Sequence, residues 1–285
     1  MNVHFANTRA INAKIKAIAR SLLFAATFAI WSSPAAWADT KPLIADVGVV
    51  APKSFLFVGN SFMYYNNSMH KQFRRLAQIA DEGHRADYRA TSVTISGSGL
   101  NWHDMESYFR PNALAEYSFV GDNEIRFNSY EQLYDVVIMM DCSQCPVHPQ
   151  LKERFHQYAA KHSETVIRHG ARPVLLMTWA YEDRPEMTKL LAEEYTVAGN
   201  TNKVLVAPAG LAFARAKSER PTLSLHQADK RHPSPAGTYL AALTIYASIY
   251  NRSPVGSAPP AGMDNATAAF LQQVAWDTVE EYFER

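Results

Sequence analysis

The chain holds 285 residues, 47% of them hydrophobic and 19% charged, with 28 Lys and Arg against 27 Asp and Glu for a formal net charge of +1. Its first 38 residues carry four of the basic side chains and no acidic one, so the remaining 247 residues stand at 24 basic against 27 acidic, a charge of −3. A mildly acidic body of that size argues against nucleic acid or an anionic membrane as a standing partner, and it suits one α/β domain with a sizeable core.

Arg9, Lys14, Lys16 and Arg20 precede an apolar run from Leu22 to Trp31, and Ala36-Trp37-Ala38 follows as a small-x-small cleavage site. Basic, apolar and cleavage regions in that order describe a secretory signal peptide over residues 1–38, cut after Ala38. The alternative, an uncleaved anchor, needs ~20 apolar residues, about twice the run present. Export to the periplasm or the extracellular space is expected, without stable membrane insertion, since no later segment is long and apolar enough to span a bilayer. Residues 39–52 read as a lead-in and 53–285 as a single domain.

Phe55 to Val58 is an unbroken apolar run, too short for a helix and suited to a buried strand. Gly59 and Asn60 end it, because both tolerate the backbone angles of a sharp turn. Ser61 follows at once, ahead of a helix expected over Ser68–Ala80 with Met69, Phe73, Leu76 and Ile79 on one side. An isolated Gly-Asn-Ser is an ordinary turn or cap. A serine at the carboxyl end of a buried strand is also where open α/β sheets place their chemistry. A second strand is expected at Tyr88–Ile95, and then a long insertion, Ser98–Gln132, carries Trp102, His103, Tyr108, Phe109, Tyr117 and Phe119. It leaves the same sheet edge as Ser61 and is expected to wall a pocket. Trp102 and His103, with Met63, Tyr64 and Tyr65 beside the serine, are the candidate substrate contacts; core or rim packing is the other reading of these aromatics.

The third strand, Tyr134–Met140, runs into Asp141-Cys142-Ser143-Gln144-Cys145-Pro146, which holds the only two cysteines. In an exported chain such a pair reads as a small disulfide loop. Cys-x-x-Cys also admits a thiol-disulfide oxidoreductase, and with His148 it offers three zinc ligands but no second pair. A helix over Pro149–His169 carries His156, His162 and His169 at spacings of six and seven, compatible with a solvated or half-buried face. The strand Pro173–Thr178 leads to Trp179, which either lines the pocket or seals the core. A helix at Arg184–Ala198, a strand at Val204–Ala207 and a helix at Ala209–Ser218 continue the alternation. Continuously apolar strands alternating with helices mean a parallel sheet covered on both faces.

Further on, Asp229 and His232 stand three residues apart in one loop. A histidine base needs a partner on its other ring nitrogen to fix the tautomer, and Asp229 can supply it. Pro233, Ser234 as a cap and Pro235 in the first turn mount that loop on a helix over Pro235–Tyr250. Asp39–Pro52 and Ser253–Gly262 are expected to be the loosest segments, and a last helix is expected over Asn265–Phe283.

Gly59-Asn60-Ser61 resembles the first block of the SGNH (GDSL-like) hydrolases, with Asn in place of the commoner Asp before the serine. Ile95-Ser96-Gly97 resembles their second block and Asp229-Lys230-Arg231-His232 their last, in the family's order. The resemblance runs from about Phe55 to Tyr250. It implies a three-layer α/β/α sandwich on a flavodoxin-like parallel sheet, and a triad of Ser61, Asp229 and His232. It also implies oxyanion donors at the Ser61 and Gly97 amides, with Gly99 competing for the second place. The family's third block is Gly-x-Asn-Asp, whose asparagine helps hold the oxyanion. This chain departs from it, and Gln144 is the one side chain in Asp141–Pro146 with a similar amide to offer. The chemistry implied is hydrolysis of a carboxylic ester through an acyl-enzyme, with no metal or organic cofactor. Export points to an acylated carbohydrate, a lipid or a small ester. The same triad could pass the acyl group to a sugar hydroxyl instead, and the altered third block admits a carbohydrate-binding protein with a lapsed site.

Overall fold

The structure is a computed structural model that describes residues 39–114 and 116–285; the expected signal peptide, residues 1–38, lies outside the described residues. In chain order the strands are β1 (Ser54–Gly59), β2 (Arg89–Thr94), β3 (Tyr117–Gly121), β4 (Glu124–Phe127), β5 (Val136–Met139), β6 (Arg172–Leu176) and β7 (Leu205–Ala207). The helices are a single turn α1 (Ser61–Tyr64), then α2 (Met69–Ala80), α3 (Lys152–Arg168), α4 (Met187–Asn202), α5 (Ala209–Glu219), α6 (Pro235–Tyr250) and α7 (Asn265–Phe283).

Five strands make one sheet in the order β2-β1-β5-β6-β7, and every neighbouring pair is parallel. That is the flavodoxin-like order. Parallel neighbours need crossovers, and right-handed crossovers put α2, between β1 and β2, on the face opposite α3 and α4, which lead from β5 outward to β7. The packing follows: α2 lies on α6, which also meets α5 and α7, while α3 meets β6 and α4. With helices on both faces, β1, β5 and β7 are buried throughout, whereas the edge strand β2 is half-buried. Unbroken apolar strands are the result. Because the chain leaves β1 and β5 toward opposite faces, a crevice opens at their carboxyl ends. Ser61 stands there.

The insertion after β2 differs from expectation. It starts at the Ser61 edge but must finish at the amino end of β5, so its later aromatics belong to the far edge. Phe109 packs on Tyr134 and stacks on His169, with ring centroids 5.6 and 4.4 Å away. Tyr117 and Phe119 sit on an antiparallel hairpin, β3–β4, whose side chains Tyr117, Phe119, Ile125 and Phe127 are exposed. The period-2 alternation of those four residues around Asp122-Asn123 was the available signal for the hairpin. The lead-in is also less loose than expected. Glu193 of α4 accepts the amides of Asp39 and Thr40, and Asn200 bonds to the backbone of Lys41 and Leu43. Gln272 of α7 ties down Gly256 and Ser257 in the same way. Among the described residues no helix is long and apolar enough to cross a membrane.

The start of α6 is where the fold carries the histidine loop, and it is tight. A Cβ on Gly237 would stand 2.3 Å from the Leu225 carbonyl oxygen and 2.9 Å from the Phe213 ring. Gly237→Ala must push α6 away from that loop, and a loss of about 3 kcal/mol is expected. A urea midpoint equal to wild type would show that the helix start has slack.

Candidate active site

β1 ends at Gly59, and Asn60 caps the turn that follows. Its Oδ1 accepts the Phe62 amide at 3.1 Å, while its Nδ2 donates to the carbonyls of Ser98 at 2.9 Å and Asp141 at 3.1 Å. Asn60 is buried, and its one side chain ties together the loops that follow β1, β2 and β5. A carboxylate could accept the amide but could not donate to two carbonyls. That is the physical case for Asn here. Ser61 then opens α1, where the first amides of a helical turn have no carbonyl behind them to bond.

The histidine comes from the loop between α5 and α6. His232 Nε2 lies 2.8 Å from Ser61 Oγ, across 171 residues of sequence, and Nδ1 is hydrogen-bonded to Asp229 Oδ2. Asp229 Oδ1 accepts the amides of Arg231 at 2.9 Å and His232 at 3.0 Å, which closes the turn. Burial raises the Asp229 carboxyl, but bonds from the His232 ring and from those two amides outweigh it and hold it at about 2. The carboxylate therefore stays ionised beside the ring. The loop is mounted on Trp179: Nε1 donates to the Arg231 carbonyl at 3.1 Å, and the indole is stacked between Phe62 at 4.7 Å and Phe213 at 4.3 Å.

The expected oxyanion donors lie at the same edge. Gly97 is exposed, has a φ of +72° and would meet nothing within 4 Å if it bore a Cβ, so open space surrounds it. Gly99 is buried instead, with its Cα facing the Asp141 carboxylate, where a Cβ would stand 2.6 Å from Oδ1. Gln144 is exposed on a four-residue ring closed by a disulfide between Cys142 and Cys145, with Cα atoms 5.2 Å apart. Both sulfurs are thus occupied, and the zinc arrangement with His148 has no thiolates to offer. Buried Asp141 holds this loop to the one after β2, accepting the amides of Leu100 and Cys142 at 2.8 Å. Burial pushes its carboxyl above the usual range against the pull of those amides.

The substrate contacts need correcting. Met63 is 1% exposed, beneath Gly59, and Trp179 is fully buried in the aromatic stack. His103 is 4% exposed, with Nε2 3.1 Å from the Gly59 carbonyl and from Ser98 Oγ, and Nδ1 3.0 Å from the Tyr108 hydroxyl. None of the three has surface to present to a substrate; they brace the turn from beneath. Trp102 is exposed, but over a groove shared with Lys161, Glu164 and Arg168 of α3. Tyr64 remains at the rim, its hydroxyl donating to Ser96 Oγ at 3.2 Å. The neighbouring Tyr65 lies flat on the His232 ring at 4.2 Å. Of the histidines on and just after α3, His156 is half-buried with Glu194 and His162 is buried on the Leu100 carbonyl, while His169, one residue past the helix, is exposed and paired with Glu106.

Comparison with solved structures finds the same architecture. A proposed SGNH hydrolase from Slackia heliotrinireducens matches 69% of this chain and 98% of its own at a TM-score of 0.51 and 23% identity. A DUF4886 family protein from Bacteroides uniformis ATCC 8492 matches 81% of this chain and 96% of its own at 0.54 and 17%. The acetyl xylan esterase AlAXEase matches 68% and 98% at 0.51 and 11%. At these identities the likeness is one of fold. No family model and no curated protein matches the chain.

Two expectations follow from the buried bracing. Asn60→Asp removes both donors to the Ser98 and Asp141 carbonyls and should cost about 2–4 kcal/mol at neutral pH, read as a urea midpoint; an unchanged midpoint would mean that water replaces them. Burial holds His103 down to about 4, from an ordinary 6.5. The unfolded chain therefore binds that proton first, and stability is lost as pH falls from 6.5 toward 4. His70, also held near 4, and the buried His162 and His226, both lowered, act in the same sense. His103→Gln should shrink the stability difference between pH 7 and pH 5 by about 2 kcal/mol. An unaltered difference would mean that the fold and the unfolded chain bind the His103 proton alike, and would refute its lowering by burial.

Proposed function

We propose that this chain, which carries the SGNH-hydrolase fold, is an exported serine esterase that cleaves a carboxylic ester through Ser61, His232 and Asp229. The observation that carries the reading is the continuous line from Ser61 Oγ through the His232 ring to Asp229. His232 Nε2 takes the proton as Ser61 Oγ attacks the ester carbonyl. Asp229, on Nδ1, fixes the tautomer and stabilises the imidazolium. The Ser61 and Gly97 amides, with Gln144 in the place of the family's asparagine, receive the oxyanion. Collapse expels the alcohol, protonated by His232, and leaves an acyl-serine; His232 then deprotonates the water that hydrolyses it.

The site lies at an open sheet edge, with Tyr64 and Gly97 exposed beside the serine. An edge of that form suits the ester of a large alcohol such as an acylated carbohydrate, and the acetyl xylan esterase among the fold neighbours supports testing that class first. The Cys142–Cys145 disulfide fits an oxidising, extracytoplasmic compartment, in keeping with the leader.

Reaction of the purified protein with a fluorophosphonate probe, beside Ser61→Ala and His232→Ala, tests the reading. Labelling should fall on Ser61 and be absent from both variants. Hydrolysis of p-nitrophenyl acetate should drop about 10⁴-fold in Asp229→Asn, and Gln144→Ala should lower kcat about 100-fold with little change in KM. A folded sample that neither labels nor turns over would refute an active esterase. An unchanged kcat in Gln144→Ala would leave the two backbone amides as the oxyanion donors.

A further inference from the structure

Tyr65 and Asn66 follow directly on the turn that carries Ser61, and both reach the histidine loop. The Tyr65 ring is stacked on the His232 imidazole, with centroids 4.2 Å apart and planes 10° from parallel. Phe62 closes on the same imidazole edge-on at 5.5 Å. Asn66 Nδ2 donates to the Pro233 carbonyl at 2.7 Å and to Thr238 Oγ1 at 2.8 Å, and Asn66 Oδ1 accepts from Gln227 Nε2 at 3.3 Å. Gln227 also donates to the Pro233 carbonyl, at 3.1 Å. The carbonyl next to His232 is thereby gripped from two sides.

The backbone that delivers these side chains is unusual. Asn66, Asn67 and Ser68 have φ of 54°, 64° and 71°, three successive non-glycine residues in the left-handed region. Single asparagines visit that region readily, but a run of three is disfavoured at each step and persists only where surrounding contacts over-determine it. Here the run reverses the chain between α1 and α2 and leaves Tyr65 and Asn66 against the histidine loop. An unstrained link would be easy to write with glycine. The chain instead uses a side chain at position 66 that bonds across the site.

We propose that Tyr65 and Asn66 are positioning residues for the base: this turn clamps the His232 loop to the same turn that carries the nucleophile. The proposal rests on the triad reading above. Asn66 fixes where the loop stands, through the Pro233 carbonyl and α6. Tyr65 fixes the plane of the imidazole, so that Nε2 stays on Ser61 while Nδ1 stays on Asp229. The separation of nucleophile and base is then held by contacts that exclude the reacting atoms themselves. Displacements of an ångström at such a pair are costly to the rate.

The test combines ring-proton NMR of His232 with steady-state kinetics on p-nitrophenyl acetate, in wild type, Tyr65→Phe, Tyr65→Leu and Asn66→Gly. A ring stacked at 4.2 Å shifts the His232 carbon-bound protons upfield. That shift should persist in Tyr65→Phe and vanish in Tyr65→Leu. Tyr65→Leu should lower kcat about 10-fold with KM within twofold, and Tyr65→Phe should restore most of it. Asn66→Gly loses the side-chain bonds but relieves the backbone, so it should keep near-wild-type thermal stability and still lose kcat about 10-fold; it also serves where Tyr65→Leu does not fold. An upfield shift that survives in Tyr65→Leu, or an undiminished kcat in folded Asn66→Gly, would overturn the clamp. Should the wild-type protein show no turnover, the esterase reading fails by itself, and the His232 shifts still decide whether Tyr65 sets the ring.

Discussion

The side-chain amide of Asn60 is satisfied at both ends, by one amide hydrogen and two carbonyl oxygens drawn from three different loops. Those loops follow β1 and the two strands that flank it in the sheet, β2 and β5. Nothing in strand pairing requires their ends to meet, since a ladder sets register and leaves the exits free. Asn60 supplies the missing constraint, and it does so buried, where each of its bonds excludes water. A neutral amide serves because it both accepts and donates without bringing a charge among carbonyl dipoles. The Ser98 hydroxyl and the neutral His103 ring extend the arrangement by converging on the Gly59 carbonyl. Ser61 thus stands on a polar floor whose members are held by one another.

His232 is held on different terms. Its loop is long and exposed, and apolar stacking carries it. Phe62, Trp179 and Phe213 form a nearly parallel column from the serine's turn to α5, and the indole nitrogen of its middle member holds the Arg231 carbonyl. The polar floor and the aromatic column share α1, so the two halves of the site are anchored to one turn of helix. Both therefore depend on Ser61-Phe62.

The fold was largely legible from residue order. Unbroken apolar strands separated by helical segments specify a covered parallel sheet, and each expected strand and helix lies in the structure within a few residues of its place. The meeting of Ser61, Asp229 and His232 was expected for a related reason, from short-range pattern: a serine after a strand and an acid three residues before a histidine. What stayed hidden was direction. Met63, His103 and Trp179 are residue types that serve equally in a pocket wall or beneath it, and only the tertiary contacts of their loops turn them inward. Asn66 reads as one more turn asparagine, because its partners Pro233 and Thr238 lie far along the chain. The exposed hairpin was missed as a strand pair because the insertion was read for its aromatics and not for their alternation.

Asp229 and His232 belong to one turn, closed by the acid's bonds to the amides of Arg231 and of His232 itself. Asp229 and His232 are therefore placed as a single unit. Lengthening a loop elsewhere carries the pair along together and leaves its internal geometry as it was. The long-range requirement on the molecule contracts to one vector, from this unit to Ser61. A change in the segment after β6 can therefore shift the Asp229–His232 turn against Ser61, through the Trp179 bond to the Arg231 carbonyl, without altering the geometry inside that turn.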